Sequence, residues 1–226
     1  MKKMKNLALS LLLAMPVVSS ASGMGLYVPI GIANSSSVSG DYYTATVDKD
    51  YEPAIGFGLA FDSNIGKDKL VNYRLGLEYM NVNVDTVNGW NSNQEYSRFN
   101  IVNTLGFGVL RTKVVRLWVG PRLNIAWNAS TDSTYGSDYS EIAFELGIAP
   151  AVGVNVNLGR VVSLGFDVDY RFAALYGAWS TTWDDDTYSG TATGPTARAY
   201  VLFRFGETYD KPAPKAADNG VVDQSL

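Results

Sequence analysis

Asp167 and Asp169 stand two positions apart in the segment Phe166-Asp-Val-Asp-Tyr170. On an extended chain that spacing turns both carboxylates to one face, the arrangement from which a two-carboxylate hydrolytic site is built. It also suits a plainer task, the neutralisation of arginines inside a narrow protein, and the rest of the inventory favours that task. The 226 residues include no His and no Cys. The commonest general base, the commonest metal ligand and the thiolate nucleophile are therefore all missing. Asp184-Asp185-Asp186 offers oxygen ligands to a hard cation, but three contiguous acids lack the alternating spacing of a calcium loop and read as solvated loop. Trp179, Trp183 and Tyr188, in the same stretch, read either as an adhesive aromatic patch or as part of a membrane girdle. With 22 acidic against 18 basic residues, the chain has no electrostatic footprint for nucleic acid. The expectation is a protein that is not an enzyme and needs no metal or cofactor.

The elements that position these residues are legible from the N-terminus onward. Lys2, Lys3 and Lys5 precede an apolar run from Leu7 to Val18, and Ser19-Ser20-Ala21 supplies small residues for cleavage. Residues 1–21 therefore read as a secretory signal peptide. Residues 22–206 are enough for one domain. Residues 207–226, with Lys211-Pro-Ala-Pro-Lys215, have the composition of a disordered tail. Beyond the signal, no stretch approaches the ~18–20 consecutive apolar residues of a membrane-spanning helix.

Instead, apolar residues recur at every second position in eight stretches, which is the period of a strand. Leu26, Val28, Ile30 and Ile32 alternate with Tyr27, Pro29 and Gly31. Ile55, Phe57, Leu59 and Phe61 alternate with Ala54, Gly56, Gly58 and Ala60. Alternation alone does not say which parity faces inward. The mid-strand Gly and Ala decide, because they support a solvated face poorly but suit the interior of an eight-stranded barrel, where few large side chains fit. The large apolar parity then faces lipid.

Charge follows the same division. Arg74, Arg116, Arg122, Arg171, Arg198 and Arg204 share the small-residue parity with Glu78, Glu145, Asp167 and Asp169. A guanidinium can fork onto a carboxylate in a confined space, where a lysine is harder to satisfy. These residues are expected to form an interior ionic network, with Glu78, Arg122, Asp167, Asp169 and Arg198 at similar heights near mid-barrel. Every lysine beyond the signal, Lys49 included, falls outside the predicted strands.

Connections alternate in length. Residues 62–69, 111–114 and 157–160 read as short turns, and 34–51, 81–96, 128–140 and 176–194 as long loops rich in Ser, Thr, Asp and Tyr. Strands of ~10 residues tilted ~40° would rise about 25 Å, the height of an outer-membrane apolar band. The expected aromatic girdles are Tyr51, Tyr79, Phe99, Trp127 and Tyr170 on one side and Phe61, Tyr73, Phe107 and Phe205 on the other. The predicted fold is all-β, an eight-stranded antiparallel up-and-down transmembrane β-barrel with both termini on the short-turn side.

The closing segment Ala199-Tyr200-Val-Leu-Phe203-Arg-Phe205 resembles the terminal strand signal of Gram-negative outer-membrane proteins, with Tyr200, Phe203 and Phe205 as its aromatic positions. Together with the export signal and eight strands, residues 22–206 resemble the small barrels related to outer membrane protein A and outer membrane protein X. That resemblance implies an outer-membrane location with periplasmic termini. It also implies contact with outer-membrane lipid, lipopolysaccharide and the barrel-insertion machinery. The continuation past Phe205 resembles the form in which such a barrel is followed by a linker. The expected function is a structural and interaction barrel, plugged by ion pairs, whose four long loops meet an unidentified extracellular ligand. The alternative is a narrow, porin-like channel for small or hydrophobic solutes, as in the family of outer membrane protein W, because the interior Gly and Ala leave space.

Overall fold

A computed structural model describes residues 23–32, 34–40, 47–63, 70–86, 93–132, 139–159 and 161–205. The expected signal peptide and C-terminal tail lie outside these residues. The described elements are β1 (Gly23–Gly31), β2 (Asn34–Gly40), β3 (Val47–Tyr51), β4 (Ala54–Asp62), β5 (Val71–Thr86), β6 (Asn93–Arg111), β7 (Val115–Asp132), β8 (Tyr139–Leu158), β9 (Val162–Ser180) and β10 (Asp185–Arg204). They form eight wall strands. β1 and β2 run end to end along β10, while β3 and β4 run end to end along β5. Antiparallel pairing passes from β1 to β4, through β5 to β10 in chain order, and back to β1. Full closure leaves the described wall without a free sheet edge. Gly23 pairs with Arg204, so both ends of the described chain lie at one rim, called the lower rim below.

The parity reading holds through the lower wall. On β8, Ile142, Phe144, Leu146, Ile148 and Val152 are exposed while Ala143, Glu145, Gly147 and Ala149 are buried. The small interior residues make room for a few large ones. Tyr27 lies against Gly58 and Gly76, and a Cβ at either position would overlap its side chain. Tyr27 in turn stacks on Tyr200, with ring centroids 4.7 Å apart. Gly58→Leu should therefore overpack the lumen and cost about 1–3 kcal/mol. A lower urea midpoint for the refolded variant is the expected result, and an unchanged midpoint would mean that Tyr27 has somewhere else to go.

The strands are longer than expected. β8 and β10 each hold 20 residues and β5 holds 16. At a tilt of ~40°, 20 residues rise about 50 Å, roughly twice the height of an apolar band. Most of the stretches read as long loops are therefore wall. The cause is a change of phase. On β5, Tyr73, Leu77 and Tyr79 belong to the outward parity, but from Met80 upward the apolar residues change sides. Met80, Val82 and Val84 are buried, whereas Asn81, Asn83 and Asp85 are exposed. β9 does the same, with Phe172 and Tyr176 exposed and Leu175 and Trp179 buried. Above this level the barrel turns a polar wall to water and packs apolar residues inside, among them Val38, Val47, Leu175, Trp179 and Tyr188.

Three expectations are corrected by that upper storey. Trp179 and Tyr188 are not loop contacts or girdle residues, because they pack inside the lumen at 7% and 3% exposure. Trp183, at 87%, is the exposed member of the trio. Tyr51 does not join a girdle either, since it turns inward and pairs with the Ser36 hydroxyl. Lys49 does not lie outside the strands. It sits on β3, buried, between the half-exposed Asp48 and the exposed Asp50.

Candidate functional site

Among the described residues, ion pairs cross the lumen at three heights. The lowest of these tiers joins Arg74, Arg122 and Arg198 to Asp62, Glu78, Asp167 and Asp169. Arg74 lies 2.9 Å from Asp62 and 3.3 Å from Asp167. β5 and β9 stand on opposite sides of the ring, so the contact between Arg74 and Asp167 spans it. Arg122 lies 2.9 Å from Asp167 and also pairs with Asp169, while its Nε donates to Thr104 Oγ1 at 2.8 Å. Arg198 pairs with Glu78 and Asp169. The Arg74 guanidinium also lies over the Tyr200 ring, 4.5 Å from its centroid. A planar cation that forks and stacks at once is what this space accepts, and a lysine would satisfy only part of it.

The middle tier centres on Glu145. Arg98 forks onto it with bonds of 2.7 and 2.9 Å, Arg171 lies 3.0 Å away, and Asn128 Nδ2 donates at 2.8 Å. The highest tier lies above the phase change. There Lys49 Nζ donates to Glu141 Oε1 at 2.9 Å, across the lumen from β3 to β8. Tyr96 and Tyr139 donate to Glu141 Oε2 at 2.5 and 2.6 Å, and Tyr188 donates to Oε1. Burial works to raise the Glu141 carboxyl, but the Lys49 charge and the three hydroxyls outweigh it and hold the group below the usual carboxylate range. The Tyr188 and Tyr96 hydroxyls are pushed up, first by burial and then by the Glu141 charge, so they stay donors.

Each mismatched tier is compensated by its neighbour. The lowest has four carboxylates for three guanidinium groups, and the middle has two guanidinium groups for one carboxylate. Between these two tiers lies a cavity of about 10 Å³ bounded by Glu78, Arg98, Asn100, Asn124 and Arg198, room for about one water. A second cavity of about 10 Å³ lies against Lys49 and Glu141.

All the arginines and acids expected inside are buried. Arg74, Glu78, Arg122, Asp167, Asp169 and Arg198 meet in the lowest tier, and Glu145 and Arg171 in the middle one. Arg116 and Arg204 share the inward parity but sit at the lower rim. Arg116 reaches the Leu70 carbonyl at 3.5 Å, and Arg204 donates to the Gly159 carbonyl. The expected terminal signal splits by face, with Tyr200 inside and Phe203 and Phe205 outside. Sequence reading missed Asp62, Arg98, Lys49 and Glu141. Asp62 reads in sequence as the first residue of a turn, although it continues the inward parity of Gly58 and Ala60. Arg98 likewise precedes Phe99 on the inward parity.

A closed ring with an apolar band outside and ion pairs within defines a small eight-stranded β-barrel of the outer-membrane type. Among solved structures the chain is similar to the outer membrane protein OprG from Pseudomonas aeruginosa, with a TM-score of 0.62 at 14% identity, over 83% of this chain and 98% of that one. It also matches Neisserial surface protein A at 16% identity, over 80% of this chain and 97% of that one, with a TM-score of 0.33. The attachment invasion locus protein Ail of Yersinia pestis matches at 15%, over 79% and 99%, with a TM-score of 0.31. No protein-family model matches the sequence, and no curated protein does. At this identity the likeness to OprG establishes the fold.

Proposed function

We propose that the protein is a non-enzymatic outer-membrane barrel whose lumen is closed to solutes and whose upper storey stands above the membrane for surface contacts. The carrying observation is the set of cross-lumen ion pairs; among the described residues, the two cavities that lie against the tiers inside the lumen hold about 10 Å³ each. The upper end faces the cell exterior in this reading and the termini face the periplasm, since both ends of the described chain and the short connections share the lower rim. Outer-membrane lipid and lipopolysaccharide surround the band, and the closing strand addresses the insertion machinery. The segments of the upper end are acidic. Residues 34–52, 81–97, 128–141 and 176–194 hold 12 acidic residues and a single basic one, Lys49, and Lys49 and its partner Glu141 both point inward. Such a field draws in cations and repels anions.

Refolded protein in planar bilayers tests the closed lumen. No steady conductance is expected across voltage and salt, and a reproducible ohmic conductance would sink this reading.

One observation favours a second reading, entry of apolar solutes through the wall. Pro121 faces Pro150 across β7 and β8, and the register of β8 with β9 omits the rungs between Ile148 and Ala151. Here the outer wall bears an apolar groove of about 1070 Å³ that includes Ile32, Val119, Phe172 and Pro195. Prolines donate no ladder bond, so the wall is thinner in hydrogen bonds at this point. Vesicle uptake of an apolar dye, reduced by Pro150→Val, would support this route, and uptake no faster than in protein-free vesicles would dismiss it.

A further inference from the structure

Lys49 is held the way a ligand is held. Its ammonium lies 2.9 Å from Glu141 and 3.3 Å from the Tyr96 hydroxyl. It also stands 5.6 and 5.3 Å from the ring centroids of Tyr96 and Tyr188. A carboxylate with aromatic faces around it is the chemistry that recognises an organic ammonium. We propose that Glu141, Tyr96, Tyr139 and Tyr188 form an ammonium-recognition site in the upper mouth, which Lys49 occupies and which takes a primary alkylamine from solution when Lys49 withdraws.

The site is built without Lys49. Three tyrosines from β6, β8 and β10 orient both oxygens of Glu141. Removing the lysine leaves those hydroxyl bonds in place and the carboxylate short of one cation. The occupant, by contrast, rides on a short part of the wall. β3 has five residues, all paired with the seven-residue β2, and shares three register positions with β5. One of these sets Asp50 directly opposite Asp85, both exposed, and like charges opposite each other on a sheet oppose pairing. The acidic mouth also concentrates cations from solution near the site. A neutral solute of the same shape lacks the charge-assisted bond and is rejected.

The test uses full-length Lys49→Ala refolded in detergent micelles, with the thermal midpoint titrated against n-propylammonium chloride. That probe matches the atoms the substitution removes. n-Propanol controls for shape, and sodium chloride controls for ionic strength. A saturable rise in midpoint is expected, with a half-effect concentration at least ~10-fold lower for n-propylammonium than for n-propanol, the factor a charge-assisted hydrogen bond supplies. The rise should vanish in Lys49→Ala/Glu141→Gln and be small in the unsubstituted protein, where the cage is full. Equal responses to the two probes, or the same rise in the double variant, would overturn the proposal. If Lys49→Ala does not refold unaided, the readout becomes the refolded yield with each probe. Rescue by the amine alone supports the site, and equal yields overturn it.

Discussion

Arg122→Ala markedly lowers the urea midpoint of the refolded barrel. Its guanidinium reaches Asp167, Asp169 and Thr104 at once, and its side chain is fully buried. Truncation takes one cation from each of two buried carboxylates, leaving Asp167 to Arg74 and Arg198 and Asp169 to Arg198, in a tier already short of positive charge. Breaking one partner out of such a set typically costs ~3–5 kcal/mol, and water entering the lumen softens the loss. Arg122→Lys should recover only part of it, because an ammonium can take the place of Nη1 between the two acids but has no second nitrogen to replace the Nε bond to Thr104. Arg122→Ala/Asp167→Asn should recover part by the other route, removing one of the negative charges left in excess. An unchanged midpoint in Arg122→Ala would mean that the lumen is hydrated enough to make the tier irrelevant to stability.

Val152→Arg is the second large effect. Val152 pairs with Val168 on the outward face of β8 and β9, near the middle of the apolar band. An arginine facing lipid at that depth costs about 2–4 kcal/mol. Ser189→Arg also places a cation on the outward face, on β10 above the phase change, and should cost close to nothing. Urea titration of both variants in lipid vesicles measures the difference. Equal costs would mean that the wall at Ser189 meets lipid as the wall at Val152 does.

The lower half was legible because one rule governs it. Large apolar residues on one parity and small or charged residues on the other point to lipid outside and a narrow lumen inside, and Arg122 and Asp167 follow from parity alone. Parity does not encode height, however. Arg116 and Arg204 lie on the expected face yet at the lower rim, because height depends on register between strands rather than on any single strand. The upper half failed for a different reason. Asn81-Val82-Asn83-Val84 alternates as cleanly as any strand below it, but its apolar residues have crossed to the inner face. Taken without that phase change, an outward row of Asn, Ser and Asp looks like loop. Lys49 was lost the same way, although Val47, Lys49 and Tyr51 share one parity beside Asp48 and Asp50.

The phase change also acts as a depth gauge. Tyr79 outside and Met80 inside are adjacent, so β5 passes from a lipid-facing rule to a water-facing rule within one residue. The barrel cannot ride deeper without drawing Asn81 and Asp85 into hydrocarbon, nor rise without wetting the band. Its fit is therefore to one hydrocarbon thickness, and a thicker bilayer imposes a mismatch that a closed, cross-tied cylinder cannot relieve by bending. Bacterial outer membranes are thinner than average, so bilayer thickness alone would favour this protein's retention there.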